Sequence, residues 1–404
     1  MGVKQKIIND PVFGFINLPV GFLYEVYQHP ILYRLTRIRQ LGLSELVYPG
    51  ATHCRFQHIT GAMHLVTEAI RQLRLKGHEI TEAEAEGLTA AVMLHDLGHG
   101  PFSHVLEHFL YNHVPHEEIS LRLMQRMNRD LGGRLDLCMQ IFTDAYPKKF
   151  LHQLISSQLD VDRLDYLRRD SFFTGVVEGN IGSARIIKML NVVDDHLVVE
   201  AKGIYSIENF LMARRLMYWQ VYLHKTSVAA EKMLLNLLSR ARELRHQGVA
   251  LEASAPLDWF LTHDLEAGVV TEESLDWFLR LDDVDIWAAI KAWQYHDDKV
   301  LSTLCSHFIT RKLFKVELTD TPVDAGRIQS DLGRIAGRFG ISEDEARYFL
   351  HNSEISNNIY DDSDYGIEIL YNDGHIEPIT KASDILNIEV LSKKVRKYAY
   401  AYIR

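Results

Sequence analysis

The chain has 404 residues, 47% of them hydrophobic, enough for a sizeable core arranged as two or three domains or as one large lobe with an appended module, and not a disordered composition. A net charge of −10 argues against a surface built on nucleic-acid phosphates, so nucleic acid is not an expected partner, although a local basic patch is compatible with that total. Three cysteines, Cys54, Cys138 and Cys305, lie far apart with no CxxC pair, which argues against a disulfide framework and for a reducing cytoplasm.

In chain order, MGVKQKIINDP has no apolar signal core and carries Lys6 where a myristoylation signal wants Ser or Thr. No apolar run approaches a membrane span, so a soluble, cytoplasmic chain without a membrane partner is expected. Ile59, Met63, Val66, Ile70 and Leu73 recur at three- and four-residue steps, the stripe of an amphipathic helix. The next helix is expected from Glu82 to Leu97, stopped by Gly98 and by Gly100-Pro101. FSHVLEHFL reads as a short helix, Asn112 to Pro115 as a turn, and HEEISLRLMQRM as a helix with acids in its first turn. FLHQLISSQLDVDRLDYLRRD and IENFLMARRLMYWQVYLHK read as long helices with a loop at Gly175–Gly182 between them, and LVVEAKGIYSI as a small hairpin around Lys202-Gly203. From Pro322 the character shifts to a helical SEDEARYFLHN, a loop NSEISNNIYDDSD, and a hairpin YGIEILYNDGHIEPI around Asn372-Asp373-Gly374. The expected fold is mostly α: a helical core over residues 1–320 with an N-terminal strand segment, and a smaller mixed α+β lobe over residues 321–404. There is no internal repeat and no Walker-type GK[ST] loop.

The chemistry concentrates in Val92–His104, VMLHDLGHGPFSH. Leu88, Ala91, Val92 and His95 share one helix face, and Asp96 flanks it. An ionised carboxylate beside a core is costly unless it is paired or binds a metal. A single histidine on an apolar face is ordinarily a hydrogen-bonded core residue; an adjacent His-Asp at a helix end, followed by two more histidines, favours a metal site. His58, just before the Ile59 stripe, is a further candidate ligand. So is Asp162, in a run Leu151, Ile155, Leu159, Asp162, Tyr166, Asp170 where apolar residues give way to polar ones. The bland alternative for that run is a solvated helix end with Asp165 and Arg169 paired across one turn, which suits Asp165 better than Asp162 or Tyr166.

The ordered words NDPVFGFI, IRQLG, YPGATHCRFQH, HDLGHGPFSH and LDVDRLDYLRRD resemble the HD-domain metal phosphohydrolases, in the branch of the deoxynucleoside triphosphate triphosphohydrolases. The resemblance covers Ile7 to Lys232, and more weakly FITRKLFKVEL. It implies an HD-domain helical core and hydrolysis of a deoxynucleoside triphosphate, with dGTP the first substrate to try, to deoxynucleoside and intact triphosphate by attack of a metal-activated water on the α-phosphorus. It implies His58, His95, Asp96 and Asp162 as ligands of a divalent ion; two imidazoles and two carboxylates suit Mn, Fe, Mg, Zn or Ni alike. His99, His104, Glu107 and His116 match further catalytic positions, with His104 the leading general acid and Glu107 its orienting partner; the family usually has aspartate at that position. Arg55, Arg163, Tyr166 and Arg214 match triphosphate contacts, Arg163 standing where the family has lysine. Gln40 and Asp170 match contacts to the sugar 3′-hydroxyl, and Leu41, Tyr166 and Tyr222 the wall that excludes a 2′-hydroxyl. Arg214, Tyr218 and Tyr222, spaced by four, are expected on one helix. The resemblance also implies a homo-oligomer, dimer or tetramer, with Asn9, Asp10 and Pro11 in the strand that helps build it and a nucleotide effector site. Gln28, Tyr33 and Thr36 stand where the animal enzyme reads an activating guanine nucleotide, so that guanine site is expected to be absent or altered.

Three other readings compete. HDLGH resembles the HExxH of metalloproteases, but the glycine and proline break argues against both histidines riding one helix. An HD-family hydrolase acting on a nucleoside monophosphate, cyclic dinucleotide or alarmone shares the metal set, and only the sugar-reading residues argue against it. A non-catalytic nucleotide sensor is a third class, disfavoured by complete metal and acid positions.

Overall fold

Helices dominate the computed structural model, which describes residues 5–357, 365–384 and 395–404, the side chains of residues 103, 104, 108, 356, 357 and 395 excepted. The chain enters through an antiparallel hairpin, β1 (Gln5–Asp10) and β2 (Gly14–Pro19). Its turn is closed by one Asp10 carboxylate oxygen, which accepts the backbone N–H groups of Val12 and Phe13, both at 2.9 Å.

The site is carried by helices α1 (Arg55–Leu75), α2 (Glu82–Leu94), α3 (Ser103–Leu110), α4 (His116–Asp130) and α5 (Val161–Thr174). The expected stripe on α1, from Ile59 to Leu73, is buried in one continuous apolar core where the helix packs against α2 and α5. Thr81 and Glu84 cap α2 reciprocally, backbone N–H to side chain, at 3.2 and 2.8 Å. This helix stops at Leu94, short of the expected Leu97. His95 turns its Nδ1 onto the Val92 carbonyl at 2.6 Å, and the chain proceeds through tight turns from Leu97 N–H to Leu94 O and from His99 N–H to Asp96 O. Ser120 of α4 clamps the turn, accepting from Gly98 N–H at 2.8 Å and donating to the His95 carbonyl at 2.7 Å.

The long helix expected from FLHQLISSQLDVDRLDYLRRD is interrupted. A short helix spans Lys149–Gln153, and Asp160 then starts α5 as its cap, accepting from Arg163 N–H at 2.7 Å and from Ser157 N–H at 3.0 Å. Such local side-chain bonds compete with helix continuation, so Leu151 and Ile155 do not share a helix with Asp162. The hairpin expected around Lys202-Gly203 lies one strand earlier: β3 (Leu190–Val193) and β4 (His196–Glu200) turn at Asp194-Asp195, both with positive φ. Ala201–Gly203 is a 3₁₀ turn leading into α6 (Ile204–Met217), which widens into a π-helical turn at Tyr218–Tyr222 before α7 (Lys225–His246). Tyr218 and Tyr222 therefore do not continue the α-helical face of Arg214.

Beyond α7 come β5 (Lys315–Thr319), the short helix Glu343–Ala346, and β6 (Leu350–Asn357), which takes in the end of the expected helix and the start of the expected loop; residues 358–364 of that loop lie outside the described set. The hairpin at Asp373-Gly374 forms as expected from β7 (Glu368–Leu370) and β8 (Ile376–Pro378). With β9 (Val395–Tyr402) the strands build two mixed-origin sheets, ordered β3-β4-β7-β8 and β5-β9-β6, each pairing segments from both sides of position 320. The fold is thus mostly α with a small mixed α+β part. Among the described residues, no helix is long and apolar enough to cross a membrane.

The turn after α2 leaves no room for a side chain at Gly98: a Cβ there would lie 1.9 Å from the His116 carbonyl oxygen and 2.8 Å from the Ser120 nitrogen. Gly98→Ala is expected to lower stability by about 2–3 kcal/mol, since backbone on both sides must shift. Urea unfolding checks this; an unchanged midpoint contradicts the close approach.

Candidate metal centre and substrate cavity

Three helices bring the four expected ligands together. His58 comes from α1, His95 and Asp96 from the end of α2, and Asp162 from the first turn of α5. Ligand atoms of His58, His95 and Asp162 all lie within 4.8 Å of one another. His58 Nε2 and His95 Nε2 sit 3.0 and 3.4 Å from Asp162 Oδ1, and Asp96 reaches the same two nitrogens at 3.9 and 3.3 Å. Each imidazole is fixed through its other nitrogen: His58 Nδ1 to Asp165 Oδ2 at 2.7 Å, His95 Nδ1 to the Val92 carbonyl. An acceptor on Nδ1 keeps the proton there and turns the Nε2 lone pair inward. Both Nε2 atoms are buried and find no well-aligned hydrogen bond, and that orphaned, carboxylate-flanked pair fits a divalent cation.

The electrostatics state the same need. Burial alone would lower both imidazoles, yet Asp162 and Asp165 leave His58 raised to about 10, and Asp96 with Asp162 leaves His95 raised to about 9. Burial would raise the two carboxyls, but Arg55 with the neighbouring histidines holds Asp96 low, and His58 with His95 holds Asp162 low. Such a pair of acids, Asp96 buried and Asp162 half-buried, calls for positive charge.

From this centre a cavity of about 540 Å³ opens. Gln40, Leu41, Arg55, His95, Asp96, His99, His116, Asp162, Arg163, Tyr166, Asp170, Arg214 and Tyr222 all border it, whereas His58 sits behind the wall. The His104 side chain lies outside the described residues, and Glu107 stands off the lining. Arg55 donates to Asp96 at 2.7 Å, Arg163 pairs with Asp160, and Arg214 donates to Gln158 at 3.1 Å, so three guanidinium groups stand around the cavity. Asp170 is held by His53 at 2.7 Å and by the Tyr222 hydroxyl at 2.8 Å, and His53 in turn stacks on Phe173. Gln40 borders the cavity, and its side-chain oxygen is buried without a hydrogen-bond partner.

Two stacked imidazoles border the centre, with His99 and His116 centroids 4.0 Å apart. Their environments are opposite. Burial and the Arg55 charge push His99 well below its ordinary range, while the Glu107 carboxylate overrides burial and raises His116. Glu107 accepts from the His116 backbone N–H at 3.0 Å and lies 3.2 Å from its Nδ1. Two stacked imidazoles shifted in opposite directions suit an acid–base division of labour. Sequence reasoning missed Asp165 as the orienter of His58, together with Arg169, His53 and Ser120. The signal for Asp165 was present: it lies one turn after Asp162, and a metal-binding histidine wants a carboxylate on its far nitrogen. The solvated-end reading of the Asp165–Arg169 pair is corrected, since both side chains are fully buried.

Glu107→Gln is expected to bring His116 down toward its ordinary value, because the neutral amide no longer favours the imidazolium. Titration of the His116 ring signals by NMR reads this, and an unmoved midpoint contradicts the assigned role of Glu107.

Comparison with known proteins follows the same lines. A family model described as the HD associated region matches residues 181–254. The crystal structure of a phosphohydrolase from Bacteroides thetaiotaomicron VPI-5482 is similar at 59% identity, over 99% of this chain and 100% of that one, with a TM-score of 0.96. The uncharacterized protein YwfO of Bacillus subtilis is 33% identical over 319 residues, 77% of this chain and 72% of that protein. The SAMHD1 homolog of Dictyostelium discoideum, a deoxynucleoside triphosphate triphosphohydrolase, is 29% identical, and the match spans 59% of this chain and 50% of that protein. The chain belongs to the HD-domain phosphohydrolases, in the branch that resembles the deoxynucleoside triphosphate triphosphohydrolases.

Proposed function

We propose that the protein hydrolyses deoxynucleoside triphosphates, dGTP foremost, to the deoxynucleoside and intact triphosphate, with a divalent ion held by His58, His95, Asp96 and Asp162. The observation that carries this reading is one cavity, headed by the His58, His95 and Asp162 cluster, that brings three arginines together with Gln40, Asp170 and Tyr222. When bound, the ion supplies Lewis acidity and a more acidic water at the α-phosphorus.

The chain's own residues supply the rest. Arg55, Arg163 and Arg214, with Tyr166 between them, neutralise a triphosphate, and the forked guanidinium heads suit paired phosphate oxygens. The Gln40 oxygen accepts the proton of a 3′-hydroxyl. Asp170, immobilised by His53 and Tyr222, faces the same sugar edge, and Leu41, Tyr166 and Tyr222 close the space a 2′-hydroxyl needs. His116, made more basic by Glu107, favours the developing phosphate charge. A histidine proton is then needed on the leaving 5′ oxygen, the role His104 takes in the resemblance. The alternative reading, an HD-family hydrolase acting on another nucleotide phosphate ester, shares the centre and has equal use for the cavity arginines; only the sugar-edge residues Gln40, Leu41, Asp170 and Tyr222 argue against it.

Purified protein with Mn or Mg, incubated separately with each dNTP and NTP and resolved by ion exchange, is expected to release tripolyphosphate from deoxynucleotides only. Orthophosphate or pyrophosphate as the product overturns the reading in favour of the alternative. In Tyr222→Ala, ribonucleotide turnover relative to deoxynucleotide is expected to rise about tenfold as the wall opens; equal discrimination in the variant removes Tyr222 from that wall.

A further inference from the structure

One cavity carboxyl has no place in the reaction above. Five acids border the cavity: Asp96, Glu117, Asp162, Asp170 and Glu231. Four are engaged: Asp96 by Arg55, Asp162 beside His58, Asp170 by His53 and Tyr222, and Glu117 at 3.4 Å from His116. Glu231, on α7, is half-buried where it borders the cavity and has no hydrogen bond or ion pair among the described residues; desolvation raises its carboxyl to about 7 against the pull of Lys232. A partly desolvated cavity carboxyl with no protein partner is open to a donor from outside.

Its position says which part of a substrate that partner is. Glu231 lies one helical turn beyond Ser227, whose hydroxyl meets that of Ser44 at 3.5 Å, and its charge is felt by Tyr218. Ser44 and Tyr218 are cavity walls, and Leu43 and Leu223 add apolar surface. A free carboxylate repels a triphosphate, which has its own cations in Arg55, Arg163 and Arg214. The sugar hydroxyl has Gln40 and Asp170. What remains for an unpaired acceptor on this wall is the nucleobase.

We infer that Glu231 reads the base and selects guanine, its carboxylate accepting both the ring N1–H and the exocyclic 2-amino group; this rests on the deoxynucleoside triphosphate reading. The chemistry is discriminating because guanine alone presents two adjacent donors. Adenine and cytosine each set one amino donor beside a ring-nitrogen acceptor, and thymine sets one N–H between two carbonyls. For those three bases a carboxylate oxygen faces an acceptor, and the burial of its charge goes uncompensated.

The test compares kcat/KM for dGTP, dITP and dATP in the full chain loaded with Mn and in Glu231→Gln. The wild type is expected to favour dGTP over dATP by about tenfold or more, with dITP, which lacks the 2-amino group, in between. In Glu231→Gln the dGTP-to-dATP ratio is expected to fall about tenfold. A ratio between substrates is unaffected by how much of the variant is folded or metal-loaded. An unchanged ratio, or a wild type that prefers dATP, overturns the assignment. Equilibrium binding of dGTP and dATP with Ca in place of Mn reads the same ratio without turnover. A protein that releases no tripolyphosphate yet loses its dGTP preference in Glu231→Gln contradicts the hydrolysis and keeps the base assignment.

Discussion

A buried chain of charges, Asp10–Arg169–Asp165–His58, sets the geometry of this protein. Arg169 donates to Asp10 at 2.8 Å and to Asp165 at 3.0 Å, Asp165 holds His58 Nδ1 at 2.7 Å, and none of these side chains is more than 3% exposed. Removing one member of such a chain leaves an uncompensated buried charge, at a cost of about 3–5 kcal/mol. The chain exists because α1 and α5 approach closely at Gly61, where a Cβ would lie 1.9 Å from Asp165 Oδ1. Through it, the N-terminal hairpin, far from the cavity in sequence, governs which nitrogen of His58 carries the proton and hence which one is free to bind an ion.

The rest of the cavity follows from charge separation. Carboxylates gather where the imidazoles converge, guanidinium groups stand along the walls beyond, and Arg55 bridges the two regions by pairing with Asp96. Burial with that same arginine lowers His99, while Glu107 raises its stacked neighbour His116. One cation and one carboxylate, each acting on a different ring of a stacked pair, move the two imidazoles in opposite directions, the kind of split that acid–base chemistry on a charged ester uses. Tyr222 reaches Asp170 from a π-helical turn, a local widening of the kind that often marks functional positions.

How much of this was legible in the sequence depended on the range of the interaction. The α1 stripe and the His95-Asp96 pair obey local periodicity, and both stand where periodicity put them. The hairpin at Asp373-Gly374 was likewise visible from its turn chemistry. A position such as Gln40 carries no periodic signal and was reached only through the resemblance, and the four-residue spacing of Arg214, Tyr218 and Tyr222 did not reveal the π-helical turn that breaks their common face. The break before α5 was missed because Asp160 caps the helix with bonds to Ser157 and Arg163 that an apolar stripe does not reveal. The pairing of Asp165 with Arg169 was visible as a one-turn spacing, but its burial was not, since the covering residue is Asp10 on another element. Glu231 gave no sequence signal at all: an acid in a helix is ordinarily solvated, and only the cavity makes it conspicuous.

The central claim is that side chains 58, 95, 96 and 162 hold a single ion at the head of the cavity. Calorimetric titration of metal-free protein with Mn tests it most directly, in the wild type and in Asp162→Ala with the fold checked by circular dichroism. The account predicts one ion per chain, with affinity in the folded variant weakened about 100-fold or more. Equal affinity and stoichiometry in the two proteins would contradict it.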